Sequence, residues 1–330
     1  MKAVILQGKI REDADPDEQD VLVQVRAVSQ ALAELGYEPV TLALSLNMAE
    51  TIDRLLQEKP GFVFNLVEAV EGKGALICVA PLLLESLGLP YTGAQAEAMF
   101  LTSAKLTAKK LLRAQGIATP DFIPDDGSWP DGVTEASYIV KSAWEHASLG
   151  LDEDSILHTA DVALLRARIL SLQTSLGGGC FAERFIEGRE INISLLADQA
   201  AVEELPPAEI LFSEYPPEKI RMLGYRAKWA EHSFEYQHTV RTFAFAPEDA
   251  PLLERLRAIS LACWQLFNLR GYARVDFRVD SAGKPWVLEV NANPCLSPDS
   301  GFVAAAQQRG LAYPQVIERI VRDIPARVAG

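Results

Sequence analysis

The stretch from Tyr272 to Pro294, YARVDFRVDSAGKPWVLEVNANP, constrains this chain more than any other. Ala273, Val275, Phe277 and Val279 alternate with Arg274, Asp276, Arg278 and Asp280, and Trp286, Leu288 and Val290 alternate with Val287, Glu289 and Asn291. Period-two alternation on either side of Ser281-Ala-Gly-Lys284 predicts an antiparallel hairpin. Folding about that turn pairs Val279 with Trp286, Phe277 with Leu288 and Val275 with Val290 on an apolar face. The opposite face then sets Asp276 against Glu289 and Arg274 against Asn291. Like charges directly opposite each other destabilise a sheet by roughly 0.2–1 kcal/mol, so the pattern needs a compensating charge. Two sources stay open: Arg274 or Arg278 neutralising the acids on a solvated face, or a bound cation. Oxygen ligands from Asp276, Glu289 and Asn291 suit magnesium, which takes one or two carboxylates and fills its other positions with water and phosphate. The turn-forming Asn291-Ala-Asn-Pro294 carries the chain away directly after the acid.

Upstream, strand-like and helix-like segments alternate through the first hundred residues. Strands are predicted at Lys2–Leu6, Pro39–Leu44 and Gly61–Leu66, and helices at Asp20–Leu35, Ala49–Glu58 and Ala75–Leu87, with Gly36 and Gly88 ending two of them. That alternation predicts a doubly wound parallel sheet. A helix from Thr102 to Gly116 leads through Ile117-Ala-Thr-Pro120 into a strand at Ser137–Lys141, a helix at Asp161–Ser175 and a strand at Cys180–Ile186. A third region holds a strand from Ile191, a Pro-rich stretch from Pro206 to Pro217, a long helix from Pro247 to Phe267, the hairpin, and helical spacing from Val303 to Val328.

Length and charge bound the function. A chain of 330 residues predicts two or three domains. No apolar run approaches the ~20 residues that span a bilayer, and MKAVILQG lacks the basic flank and long apolar core of a signal peptide. Cys78, Cys180, Cys263 and Cys295 are far apart without a CxxC pair, which fits buried thiols in a reducing cytoplasm. A formal charge of -14 argues against nucleic acid as a partner, though not against a nucleotide held by a few local cations. His146, His158, His232 and His238 show no metal-ligand spacing, and neither a nucleophile elbow nor a Walker-type loop is present. Lys105, Lys141, Glu183 and Glu190 are each, taken alone, ordinary solvent-facing charges. Tyr225-Arg-Ala-Lys228-Trp is a basic-aromatic cluster in a loop-rich region.

Taken in order, GLPYTGAQAEAMFLTSAKLTAKKLLRAQGIATP, IVKSAWEHASLG, AERFIEGREINISLL, GYRAKW, YARVDF and VLEVNANPCLSPDS resemble the ATP-grasp carboxylate-amine ligases, most closely the D-alanine:D-alanine ligase family, from Leu87 to Gly310. The resemblance implies a mixed α/β and α+β fold with a three-domain ATP-grasp architecture. Its expected parts are a doubly wound N-terminal domain (1–104), a central domain (105–190) and a C-terminal domain (191–330), with ATP between the last two. It implies that Lys105 and Lys141 touch the α- and β-phosphates, Glu183 the adenine amino group, Ile186 the adenine edge through its backbone, and Glu190 the ribose. Lys228 would reach the γ-phosphate from a mobile lid. Asp276, Glu289 and Asn291 would hold two Mg2+ or Mn2+ ions, Arg274 and a backbone amide near Cys295 the developing oxyanion, and Ser300 the second substrate's carboxylate.

Such an enzyme phosphorylates a carboxylate with ATP and passes the acyl group to an amine. Three departures qualify the likeness. Ser142–Leu149 reads SAWEHASL, without glycine before Gly150; Cys295 stands where the family has glycine; and the serine-glutamate and histidine-glycine elements that bind the first D-alanine are absent. In their place are GKIREDADPDEQD and Asn65-Leu-Val-Glu68-Ala-Val-Glu71-Gly. The expectation is therefore an amide-forming ligase acting on another amino acid or a peptide, with Glu68 or Glu18 as ammonium partner. A true D-alanine:D-alanine ligase and a non-catalytic ATP-binding module are the alternatives. Relatives are often homodimers through the N-terminal domain; no membrane partner is expected.

Overall fold

A computed structural model describes residues 1–10, 16–124, 133–145, 151, 155–174, 176, 178–199 and 201–325, with the side chains of 16–18 outside that description. Glu18's side chain, the 146–150 part of the glycine-poor loop with His146, the last residue of the helix expected to reach Ser175, and the end of the helix expected to reach Val328 all lie outside the described residues.

Strands β1 (Lys2–Gly8), β2 (Glu38–Leu44) and β3 (Phe62–Asn65) form a parallel sheet in the order β2-β1-β3. Strands β1 and β3 are buried on both faces because helices cover both, while β2, at the edge, leaves Thr41 and Ala43 exposed. Ala3 and Ile5 share a core with Val25, Val28 and Leu32 of α1 (Pro16–Glu34). Val4 and Leu6 pack with Leu55 of α2 (Met48–Glu58) and Leu84 of α3 (Val79–Ser86). This is the doubly wound arrangement that the alternation predicts. The expected Ala75–Leu87 helix is a short 3-10 turn, Gly74–Leu76, followed by α3.

Two helices follow: α4 (Ala96–Ser103) and α5 (Lys105–Ala114). The single helix predicted from Thr102 is broken at Ala104 (φ -74°, ψ 79°), and the Lys105 amide donates to the Ala143 carbonyl at 3.1 Å instead of to its own helix. That break sets Lys105 at a helix start facing the next sheet.

The second sheet is antiparallel, with β4 (Phe122–Ile123), β5 (Ala136–Ser142), β6 (Ile156–Thr159) and β7 (Cys180–Arg184) in the order β4-β7-β5-β6. Helix α6 (Val162–Leu172) backs it through Leu165 and Ile169, capped by the Asp161 carboxylate. The third sheet runs β11-β10-β8-β12-β13, with β9 on β8. Its strands are β8 (Arg189–Asp198), β9 (Ala201–Glu204), β10 (Ala208–Phe212), β11 (Thr239–Thr242), β12 (Tyr272–Val279) and β13 (Pro285–Asn291). Strand β10 lies inside the Pro-rich stretch, where the sequence shows no period. The short helices α7 (Tyr225–Trp229) and α8 (Phe234–His238) occupy the region expected to be loop, and α9 (Ala250–Leu266) covers the sheet's apolar face. The final helical stretch is two helices, α10 (Gly301–Gln308) and α11 (Tyr313–Arg322). Gly310 at φ +88° and Pro314 in the first turn of α11 impose the break between them.

The hairpin forms, and Arg274, Val275 and Asp276 pair with Asn291, Val290 and Glu289 as predicted. Nearer the turn the register shifts by one: Phe277 pairs with Val287, Arg278 with Trp286 and Val279 with Pro285. The cause lies at the turn. Asp280 belongs to it, accepting from the Ala282 and Lys284 amides at 3.0 and 2.9 Å and from Trp286 Nε1 at 2.9 Å. Leu288 is then the extra residue of a β-bulge. Val287 enters the core at 1% exposure, whereas Trp286 and Leu288, predicted inward, face the other way.

Candidate active site

Between the second and third sheets lies a cleft of about 580 Å³, within the range of small-molecule sites. Every candidate residue with a described side chain lines it: Lys105, Lys141, Glu183, Ile186, Glu190, Lys228, Arg274, Asp276, Glu289, Asn291, Ser300 and Glu68. Their positions follow from the elements. Lys105 starts α5, Lys141 and Glu183 are cross-strand neighbours on β5 and β7, and Arg274, Asp276, Glu289 and Asn291 share one face of the hairpin.

At the hairpin, one of the compensating charges foreseen from sequence, Arg274, bears on Asp276. Arg274 grips Asp276 through Nε and Nη2, each at 2.7 Å, and Asn192 Nδ2 adds a third bond at 2.7 Å. Arg278 does not serve the acids; it pairs with Glu190 at 2.9 Å and donates to the Gly188 and Arg221 carbonyls. Glu289 has no hydrogen bond or ion pair of its own among the described residues. Burial opposes its charge, yet Lys105, Lys228, Arg274 and Lys141 together hold its carboxyl below the usual range. An ionised, unpaired carboxylate facing a second carboxylate fits a hard cation. No group of three or more His, Cys, Asp or Glu suited to a metal occurs among the described residues; the oxygens this face offers are those of two acids and the Asn291 amide, a set that would suit magnesium carried by phosphates.

On the central sheet, Glu183 is 1% exposed and pairs with Lys141 at 2.7 Å and with Lys109. Burial raises its pKa, but the two lysines outweigh burial and leave it lowered. Phe181, Ile186, Met222 and Leu288 add apolar lining to the cleft that Glu183 also lines. Lys105 donates to the Glu145 carbonyl at 2.5 Å, while Ser142 accepts the Trp144 and Glu145 amides. Lys228, on α7, has no ion pair among the described residues, and burial and Arg274 lower its pKa. Helix α7 is docked by the Tyr225 amide on the Leu151 carbonyl at 2.9 Å, beside Gly224, where a Cβ would lie 2.6 Å from that oxygen. The Ser300 hydroxyl accepts from the Val303 amide at 3.3 Å, capping α10.

Several lining residues, Asp20, Lys109, Asn192 and Arg241 among them, escaped the sequence reading, whereas Glu68 was foreseen. Asp20 accepts from Ser297 Oγ at 2.7 Å and from Cys295 Sγ at 3.0 Å; Glu68 accepts from Gln24 Nε2 at 2.7 Å. This acidic end joins the N-terminal sheet to the segment after the hairpin. Arg241 points toward Asp299 and Gly301. Arg278 and Asn192 had a signal, since strand alternation puts them on the polar face with Asp276. Lys109, Asp20 and Arg241 had none.

A family model described as the D-ala D-ala ligase C-terminus matches residues 133–322. The chain belongs to the D-alanine–D-alanine ligase family. It is 32% identical over 336 residues to a D-alanine–D-alanine ligase of Synechococcus sp., covering 100% of this chain and 95% of the other. It is also 33% identical to the uncharacterized protein y4sG of Sinorhizobium fredii, over 89% and 85% of the two chains. Among solved structures, the Bacillus anthracis D-alanine–D-alanine ligase complexed with ATP superposes with a TM-score of 0.74 at 23% identity, covering 98% of this chain and 97% of that one. The fold is thus that of the ATP-grasp ligases, and the family is one of ATP-dependent carbon–nitrogen ligases.

Proposed function

We propose that this chain uses ATP to activate an amino-acid or peptide carboxylate as an acyl phosphate and joins it to an amine, forming an amide. The observation that carries this reading is Glu289, opposite Asp276, without a hydrogen-bond or ion-pair partner among the described residues and held ionised by Lys105, Lys228, Arg274 and Lys141. ATP lies along the cleft, its adenine against Glu183 and Ile186, its ribose at Glu190 and its phosphates toward Lys105, Lys141 and Lys228. Asp276, Glu289 and Asn291 would hold two magnesium ions, which would supply charge neutralisation to the transferring phosphoryl group. The limits 1–104, 105–190 and 191–330 divide the three domains, and the four free cysteines suit the cytoplasm.

The residues divide the work. Lys228 draws charge from the γ-phosphoryl group as the donor carboxylate oxygen bonds to phosphorus and the bond to ADP breaks. Arg274, held by Asp276 through Nε and Nη2, lines the cleft on the face that carries Glu289. There it stabilises the tetrahedral oxyanion formed when the amine attacks, and collapse expels phosphate. Docking of α7 at Leu151 excludes water from a labile acyl phosphate. Asp20 and Glu68 favour a donor ammonium, and Ser300 with Arg241 an acceptor carboxylate.

Phosphate release measured across pairs of D- and L-amino acids and dipeptides tests the proposal. Release that requires both donor and amine supports it; release with neither, or none with any pair, contradicts it. The full-length likeness to the Synechococcus sp. enzyme favours a second reading, a D-alanine–D-alanine ligase, which predicts turnover on D-alanine alone.

A further inference from the structure

We propose that Lys109 is a positioning residue for purine selection, holding Glu183 ionised and in one orientation while tying it to the bulged strand that carries Glu289. The inference rests on the reading above that Glu183 meets the adenine amino group. Lys109 lies four residues after Lys105 on α5, yet the two lysines differ in what they touch. Lys109 is 2% exposed and its ammonium is satisfied inside the protein. It ion-pairs with Glu183 Oε2, donates to Thr119 Oγ1 at 2.8 Å and donates to the Leu288 carbonyl at 3.3 Å. Thr119 passes the connection on, donating to the Val287 carbonyl at 2.7 Å, while the Val287 amide donates to the Ala118 carbonyl at 2.8 Å. An ammonium has three donors, and those of Lys109 are spent on protein partners, leaving none for a phosphate.

The consequence is chemical. An ionised carboxylate only accepts hydrogen bonds, so it welcomes the 6-amino group of adenine and repels a 6-oxo group. A carboxyl this buried, with Lys141 as its sole counter-charge, binds a proton more readily and becomes donor as well as acceptor. Lys109 removes that ambiguity. Its second link, to the Leu288 carbonyl, fixes the bulge next to Glu289, so the purine acid and the metal acid are set by one side chain.

Equilibrium binding of magnesium ATP and magnesium ITP to the whole protein tests this without any ligase turnover. The K109M variant is expected to lose about tenfold or more in ATP affinity with a much smaller change for ITP, because an unmade polar contact is what discriminates such ligands. The double variant K109M/E183Q should be no worse than K109M. T119V keeps the charge and should lose part of the same selectivity; it serves where K109M does not fold. An ATP-to-ITP affinity ratio equal to that of the wild type in K109M, or in T119V if only that variant folds, overturns the proposal. A wild type without ATP preference overturns it too, together with the adenine reading. A lack of phosphate release bears only on the ligase reading, because the ratio is measured by binding.

Discussion

Glu289 and Lys228 form the pivotal pair of side chains, since neither has an ion-pair partner among the described residues and each feels the other's charge. Replacing Glu289 by Gln keeps its shape and removes its charge. Amine-dependent phosphate release should fall by about 100-fold or more, matching the several kcal/mol that metal-borne charge contributes; undiminished release would remove Glu289 from the metal site. For Lys228, burial and the neighbouring Arg274 lower the pKa, so the free enzyme loses this charge below the pH at which an ordinary lysine does. The profile of kcat/KM for ATP should therefore decline on its alkaline side early, and K228R should push that decline upward because a guanidinium stays charged. A limb that K228R leaves in place would assign it to another group. Alternation along the hairpin made the Asp276–Glu289 pairing legible, because a strand's faces follow from sequence alone. Lys109 was not legible: its meaning comes from Glu183 and from Leu288, 179 residues away, which no local pattern connects.

At the scale of elements, close backbone approach seats α7, the proposed lid. Gly224 lets α7 lie against Leu151, and a methyl group there would meet the Leu151 carbonyl at 2.6 Å. G224A should loosen the lid and let water reach the acyl phosphate. ATP consumption without amide formation should rise relative to wild type, measured as the ratio of phosphate to amide product; an unchanged ratio would show that α7 does not guard the intermediate. The hairpin turn makes a separate prediction. D280A removes the side chain that accepts two backbone amides and the Trp286 indole, and should cost on the order of 1 kcal/mol in denaturant unfolding. Helices and strands with clear periods were legible, including α1, β2 and β8. The bulge at Leu288 was not, because Asp280 reads as strand by alternation and acts as turn by side-chain hydrogen bonding. Likewise the breaks at Ala104 and Gly310 interrupt spacing that continues smoothly in the sequence.

For the whole molecule, α1 and the loop after β3 meet the segment after the hairpin around Asp20, Glu68, Cys295 and Ser297, while the residues proposed to meet ATP come from the two antiparallel sheets and from α5 and α7. That division predicts separable effects. D20N should raise KM for the donor amino acid by about tenfold, the cost of one charge-assisted hydrogen bond, and leave ATP binding as in the wild type; a parallel loss of ATP affinity would contradict it. The ATP-grasp architecture was legible from the order of six motifs, but the donor end was not, since Asp20 gains its role only when α1 packs beside Ser297. The claim on which the account turns is that a carboxylate oxygen of the donor becomes bonded to the γ-phosphorus. Turnover with a donor carrying 18O in its carboxylate measures this directly. The account predicts one labelled oxygen in each phosphate released during amide formation, and phosphate released without label would contradict it.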